Sequence, residues 1–167
     1  MKEMSNPPNT LQFAIASCAV QMMQRYQRQF YTYRGGGGKS RIGASIGLLV
    51  IATMPCFRKV RFVYSNQLLM EKDMMDFNDA WQMHPNGERV KYHHDLNFTP
   101  RGDEVVILDE GDVWIFKNMK RFNAASQKTK MIVLSATSDG GVEDGAEAAV
   151  LAEMDFKLFK NQLFKEE

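Results

Sequence analysis

The stretch Arg34-Gly35-Gly36-Gly37-Gly38-Lys39-Ser40 constrains what this chain can fold into more than any other segment. Consecutive glycines take positive φ freely and turn their N–H groups inward, with no Cβ to hold a polyphosphate away. They form an anion cradle. Lys39 then brings an ammonium to the outer phosphates and Ser40 a hydroxyl to Mg²⁺, and the apolar run 42–54 predicts a helix whose positive end faces the ligand. Upstream, Gln29-Phe30-Tyr31-Thr32-Tyr33 is aromatic and β-prone, so the predicted order is strand, glycine loop, helix. A flexible glycine linker is the competing reading, but linkers are rarely flanked by a strand-like run on one side and a helix-like run on the other. The loop departs from the common G-x-x-x-x-G-K-[ST] spacing at Tyr33, where that pattern has its first glycine.

Composition narrows the class. With 167 residues, 44% hydrophobic, 25% charged and a formal net charge of +1, the chain reads as a soluble globular domain with a real core, and no bulk charge draws it toward nucleic acid or membrane. The charges are unevenly placed. No Asp or Glu falls between Met4 and Met70, where Arg25, Arg28, Arg34, Lys39, Arg41, Arg58, Lys59 and Arg61 lie, and the acids cluster from Glu71 onward. That division suits a site receiving a polyanion on one side. Cys18 and Cys56 lack metal-ligand spacing and sit in apolar surroundings. They predict buried free thiols and a reducing, intracellular compartment, the cytoplasm first, with nucleus or organelle left open. No secretory signal opens the chain, and the run 42–57 is too short to cross a bilayer and holds Pro55, so no membrane span is expected.

Taken in order, residues 1–9 are a polar, proline-containing lead-in, residues 10–154 a single domain, and residues 155–167 an amphipathic tail or last sheet element. Thr10 or Asn9 caps a helix with Leu11, Ile15, Cys18, Ala19, Met22 and Met23 on one face. Gln12, near its start, reads by itself as a solvated surface side chain. Residues 59–65 alternate as a strand, 68–81 run at helical spacing, Pro85-Asn86-Gly87 stops that helix, and 89–94 is a short strand. His93 and His94, adjacent on a strand, point to opposite faces, which argues against a metal site there. Then comes Glu104-Val105-Val106-Ile107-Leu108-Asp109-Glu110-Gly111-Asp112: an apolar run of the kind a strand shows when both its faces are covered, ending in acids. Ligands bind outside the carboxyl ends of strands in α/β sheets, where this acid pair and the glycine loop both fall. An Asp there suits Mg²⁺ and a neighbouring Glu suits water activation, against the plainer reading of an acidic turn. Residues 118–127 form a polar helix or loop. Lys130-Met131-Ile132-Val133-Leu134-Ser135-Ala136-Thr137-Ser138 repeats the pattern of apolar strand and small hydroxyl residues, and 142–154 is expected to be helical from its Ala, Leu and Glu content.

A glycine loop with Lys-Ser, an apolar strand with Asp-Glu-x-Asp and an apolar strand with Ser-Ala-Thr, in that order, resemble the first RecA-like lobe of superfamily-2 helicases and translocases of DExD-box type. The resemblance runs over about residues 8–138. Within that superfamily the chain is most similar to SecA-type motor domains. Residues 34–40 look like their Arg-Thr-Gly-Glu-Gly-Lys-Thr loop, and Val63-Tyr64-Ser65-Asn66-Gln67-Leu68-Leu69 through Lys72-Asp73 looks like their strand-Asn-Asp-Tyr-Leu-Ala-x-x-Asp segment. DEAD-box RNA helicases are the next nearest. The resemblance implies an α/β, three-layer P-loop NTPase (RecA-like) fold with a mostly parallel central sheet. It implies that Gln12 reads adenine, that Gly35, Gly36, Gly37, Gly38, Lys39 and Ser40 bind the phosphates of ATP, and that Ser40 and Asp109 hold Mg²⁺. Glu110 would be the catalytic base, with Lys39 and Asp109 beside it in catalysis, and Asp112, Ser135 and Thr137 would couple nucleotide state to a second lobe and a polymer. Gly111 stands where the DEAD box has Ala.

The function expected is therefore an ATP-binding motor lobe acting with RNA, DNA or polypeptide. A second RecA-like lobe or protein partner would supply the arginine that stabilises charge on the transferring phosphoryl group, and hydrolysis would be very slow without it. The alternative is a non-catalytic RecA-like domain serving as a structural or nucleotide-sensing subunit. A small-molecule kinase would share the glycine loop but not explain Ser135-Ala136-Thr137.

Overall fold

Strands that alternate their apolar side chains between two faces need cover on both, and the helices supply it. The computed structural model describes residues 10–33, 38–136 and 148–152. The elements run α1 (Thr10–Met22), β1 (Arg28–Tyr33), α2 (Gly38–Thr53), β2 (Lys59–Tyr64), α3 (Gln67–Met83), a 3₁₀ turn (Gly87–Arg89), β3 (Val90–His94), β4 (Glu104–Asp109), α4 (Gly111–Lys117), α5 (Met119–Ser126), β5 (Lys130–Ala136) and β6 (Ala148–Ala152). The sheet order is β3-β2-β4-β5-β1-β6. The first five of these strands pair in parallel, and β6 joins the edge antiparallel to β1.

On one face Tyr31, Tyr33, Val60, Phe62, Tyr64, Val105, Ile107, Ile132 and Leu134 pack against α1, α2 and α3. On the other Phe30, Val63, Val106, Leu108, Met131 and Val133 meet Trp114 and Ile115 of α4 and Phe122 and Ala125 of α5. This is the three-layer α/β arrangement with a mostly parallel sheet. Phe62 holds α3 down, its ring centroid 5.9 Å from Trp81 and 5.1 Å from Tyr92, while the Trp81 indole donates to the Tyr92 hydroxyl at 2.9 Å. Each such ring pair contributes on the order of 1 kcal/mol beyond the area it buries. The Asn66 side chain caps α3 by accepting from the Leu69 N–H at 3.2 Å. Buried Gln29 on β1 donates to the Ala19 carbonyl at 2.9 Å and accepts from the Tyr31 hydroxyl, tying α1 to the strand that leads into the glycine loop.

Several sequence expectations are corrected. Of the helix expected over 142–154, residues 148–152 are instead β6, and the rest lies outside the described residues. Pairing with β1 satisfies the N–H and C=O row that β1 would otherwise expose at a sheet edge, which outweighs the helix preference of alanine. Cys18 and Cys56 are both free, but Cys18 is only partly covered and Cys56, in the turn after Pro55, is exposed rather than buried. The helix after the glycine loop starts at Gly38, earlier than its apolar run indicated. The helix α4, directly after the acid pair, had no sequence expectation attached to it. The lead-in 1–9 and the tail 155–167 lie outside the described residues. Among the described residues no helix is long and apolar enough to cross a membrane.

Candidate functional site

Because β4, β5 and β1 are neighbours and parallel, their carboxyl ends share one rim, with Asp109 opposite Leu134 and Tyr33 opposite Ala136 in register. Gly38, Lys39 and Ser40 form the first turn of α2 at that rim; Gly35, Gly36 and Gly37 lie outside the described residues. A Cβ on Gly38 would overlap the ring of Tyr33 and stand 3.1 Å from Gln12 Nε2, so the glycine is required by close packing. Gln12 is buried, not the surface side chain that its position alone indicated, and its Nε2 donates to the Gly38 carbonyl at 3.2 Å. The amide thus pins the end of the glycine loop to α1.

Asp109 projects to the α2 side of the sheet, as the alternation through Val105 and Ile107 requires. It is buried, and its Oδ1 has no hydrogen-bond partner among the described residues. Burial pushes its carboxyl up to about 7; the nearby Lys39 ammonium opposes the rise, and the charges of Asp73 and Glu110 add to it. Lys39 is itself buried. On the same face Asp73 of α3 is 2% exposed, its Oδ2 accepting from the Tyr64 hydroxyl at 2.8 Å while its Oδ1 has no partner among the described residues. Burial raises the Asp73 carboxyl as well, against the pull of Tyr64 and of the adjacent Ser40 hydroxyl. At the N-terminus of α2, then, the Lys39 and Asp73 charges act on Asp109, and the Ser40 hydroxyl acts on Asp73.

Glu110 has φ 49 and ψ 45, left-handed backbone in a residue that is not glycine, and it caps α4 without using its side chain. Such a conformation costs about 1–3 kcal/mol and gathers at functional sites. It turns the chain from β4 into α4 within one residue, at the carboxyl end of β4. Gly111 follows because a Cβ there would overlap Cγ1 of Val133. Asp112 sits in the first turn of α4, with its side chain outside those described. Ser135 is 1% exposed, on the Val133 side of β5 next to that turn, and its Oγ has no partner among the described residues. Thr137 lies outside the described residues. On the far side of α4 the Trp114 indole donates to Asp95 Oδ1 at 2.7 Å, and Asp95, at φ 90, donates its backbone N–H to the Tyr64 carbonyl at 3.0 Å, seating the helix against the end of β2.

Sequence reasoning assigned no role to Asp73 or Tyr64. The signal was there: Asp73 occupies the stripe of α3 that continues through Phe77, Ala80 and Trp81, all buried. A carboxylate on an apolar stripe is the informative exception. Among the described residues no three His, Cys, Asp or Glu side chains gather into a metal cage. Mg²⁺ does not need one, since it takes one or two carboxylates and completes its shell with phosphates and water. The oxygen donors of Ser40 and Asp109 fit it.

No protein-family model matches the sequence, and no curated protein matches it. Among solved structures the chain is similar to the Sulfolobus solfataricus SWI2/SNF2 ATPase core in complex with dsDNA, with TM-score 0.57 and 13% identity over 86% of this chain and 35% of that one. Domain III of the Thermotoga maritima replication initiation protein DnaA is a weaker likeness, with TM-score 0.44 and 20% identity over 80% of this chain and 53% of that one. The chain spans about a third of the length of the SWI2/SNF2 core. The first likeness shows the fold: the α/β, RecA-like fold of P-loop ATPases.

Proposed function

We propose that this chain is the ATP-binding motor lobe of a superfamily-2 DExD-box ATPase of helicase or translocase type, with motif spelling that resembles SecA-type motor domains. The observation that carries the reading is Asp109: a buried carboxylate with an oxygen that has no partner among the described residues, at the end of a parallel strand, in the field of the Lys39 ammonium at a helix N-terminus. The N-terminal N–H groups of α2 and Lys39 would bind the phosphates, helped by the dipole of a long helix. Ser40 and Asp109 would hold Mg²⁺, which when bound neutralises charge between the outer phosphates. Glu110, fixed by its own strained backbone, would orient water and accept its proton. Gln12, already bonded to the loop end, would tie recognition of adenine to the shape of the phosphate cradle. Asp112, Ser135 and Thr137 would pass nucleotide state on to a second RecA-like lobe or partner that brings the arginine. The SWI2/SNF2 core was solved with dsDNA, which makes duplex DNA the first polymer to try, ahead of RNA and polypeptide.

Titration of a fluorescent ATP analogue with Mg²⁺ tests the reading. Lys39→Ala should weaken binding at least ~10-fold, in the range of a lost charge-assisted contact; equal affinity for both proteins would remove it. Glu110→Gln should keep binding and lose turnover, and a variant hydrolysing at the parental rate would take the base role from Glu110. Binding without turnover in the presence of every polymer would instead favour the nucleotide-sensing alternative.

A further inference from the structure

The phosphate cradle and the acid pair leave Asp73 without a role. It comes from α3, outside both segments, yet it is 2% exposed. One oxygen is taken by Tyr64 at 2.8 Å and the other has no partner among the described residues. The Ser40 hydroxyl stands beside it. Its charge is felt at Asp109, whose own Oδ1 is likewise unpartnered.

Serving only as an acceptor for the Tyr64 phenol and the Ser40 hydroxyl does not account for this. An asparagine side chain in its place would accept from Tyr64 equally well and would carry no charge into the interior, whereas a buried carboxylate with an idle oxygen costs several kcal/mol. Two such carboxylates close together repel unless a proton or a cation neutralises the pair, and a cation between them does so while keeping both as ligands. The positive group set against Asp109 is Lys39, which the phosphate-binding role employs elsewhere. We infer that Asp73 is a second carboxylate of the divalent-cation site, facing Asp109 across the Ser40 hydroxyl, with Tyr64 fixing its rotamer. The inference rests on the nucleotide-site reading and extends it: the cation is held by acids from two separate elements, α3 and β4, so that α3 is drawn toward the sheet when the metal is present.

Metal and nucleotide binding, measured without reference to turnover, test it. The fluorescent ATP analogue is titrated against wild type and Asp73→Asn in EDTA and in excess Mg²⁺, and Mn²⁺ bound in the presence of nucleotide is counted by the loss of free-ion EPR signal. In EDTA the variant should bind nucleotide at least as tightly as wild type, because an anion beside the phosphates is gone. With metal it should lose most of the gain that wild type shows, and its Mn²⁺ affinity should fall about 10- to 100-fold, as for other residues that support a metal's ligands. Asp73→Ser, smaller and also able to accept from Tyr64, gives the same comparison if the Asn variant melts early. A wild type that binds nucleotide only with metal, alongside a variant with the same metal dependence, overturns the role of Asp73 and leaves the nucleotide site standing. A wild type that binds nucleotide in neither condition overturns both.

Discussion

At the scale of single residues, the rim keeps carboxylates in a state that the fold alone would avoid. The Asp109 carboxyl ionises near pH 7 in the folded chain, chiefly because it is buried, against about 3.9 for an exposed aspartate. Between those values the folded state holds a proton that the unfolded chain has released. The contribution of Asp109 to stability is therefore most favourable below about pH 4 and declines as pH rises to about 7. Without nucleotide or metal, Asp109→Asn should melt above wild type at about pH 8 and alongside it at about pH 4. A variant that melts below wild type at the higher pH would show that the carboxylate is satisfied by partners in the folded chain. Gln12 makes the same point without charge: its amide is spent on the Gly38 carbonyl, which no periodicity in α1 reveals.

Among the elements, the junction of β4 and α4 is the most tightly specified. Glu110 accepts left-handed backbone, and Gly111 admits the helix only because it has no Cβ to meet Val133. Gly111→Ala should cost about 1–3 kcal/mol through overpacking, read from denaturant midpoints. Adding Val133→Ala should recover part of that loss, so that the two changes are not additive. Simple additivity would place the strain elsewhere. β1 itself is tied to α1 by Gln29, which donates to the Ala19 carbonyl and accepts from the Tyr31 hydroxyl.

Across the whole molecule, the two ends of β4 treat an acid in opposite ways. At its start Glu104 is fully buried but answered: Arg58 Nη2 lies 2.6 Å from one oxygen, and Arg61 Nε lies 2.7 Å from the other. At its end Asp109 is buried with an oxygen that no described residue partners. The first acid staples β2 to β4 and holds the amino-end rim together; the second, at the carboxyl-end rim, is the one proposed above to meet a ligand. Glu104→Ala should destabilise by about 3–5 kcal/mol, because two arginines lose the charge that they enclose. Its effect on nucleotide affinity, measured under conditions where the variant is folded, should be small. A strong loss of affinity in the folded variant would mean that the two rims are coupled through the strand.

What the chain itself determined was the order of elements and their periodicity. Glycines before Lys39, apolar runs ending at Asp109 and at Ser135, and the helical stripe of α3 are local patterns, set by backbone sterics and by which side chains tolerate water. From them the parallel α/β architecture and most of its helices and strands were legible. Tertiary structure alone decided what touches what. It placed Asp73 beside Ser40, turned 148–152 into a strand on the open edge of β1, buried Gln12 and bared Cys56. Those outcomes depend on contacts between segments far apart in sequence, where an unpaired sheet edge or the field of a distant charge outweighs the local preference of any residue.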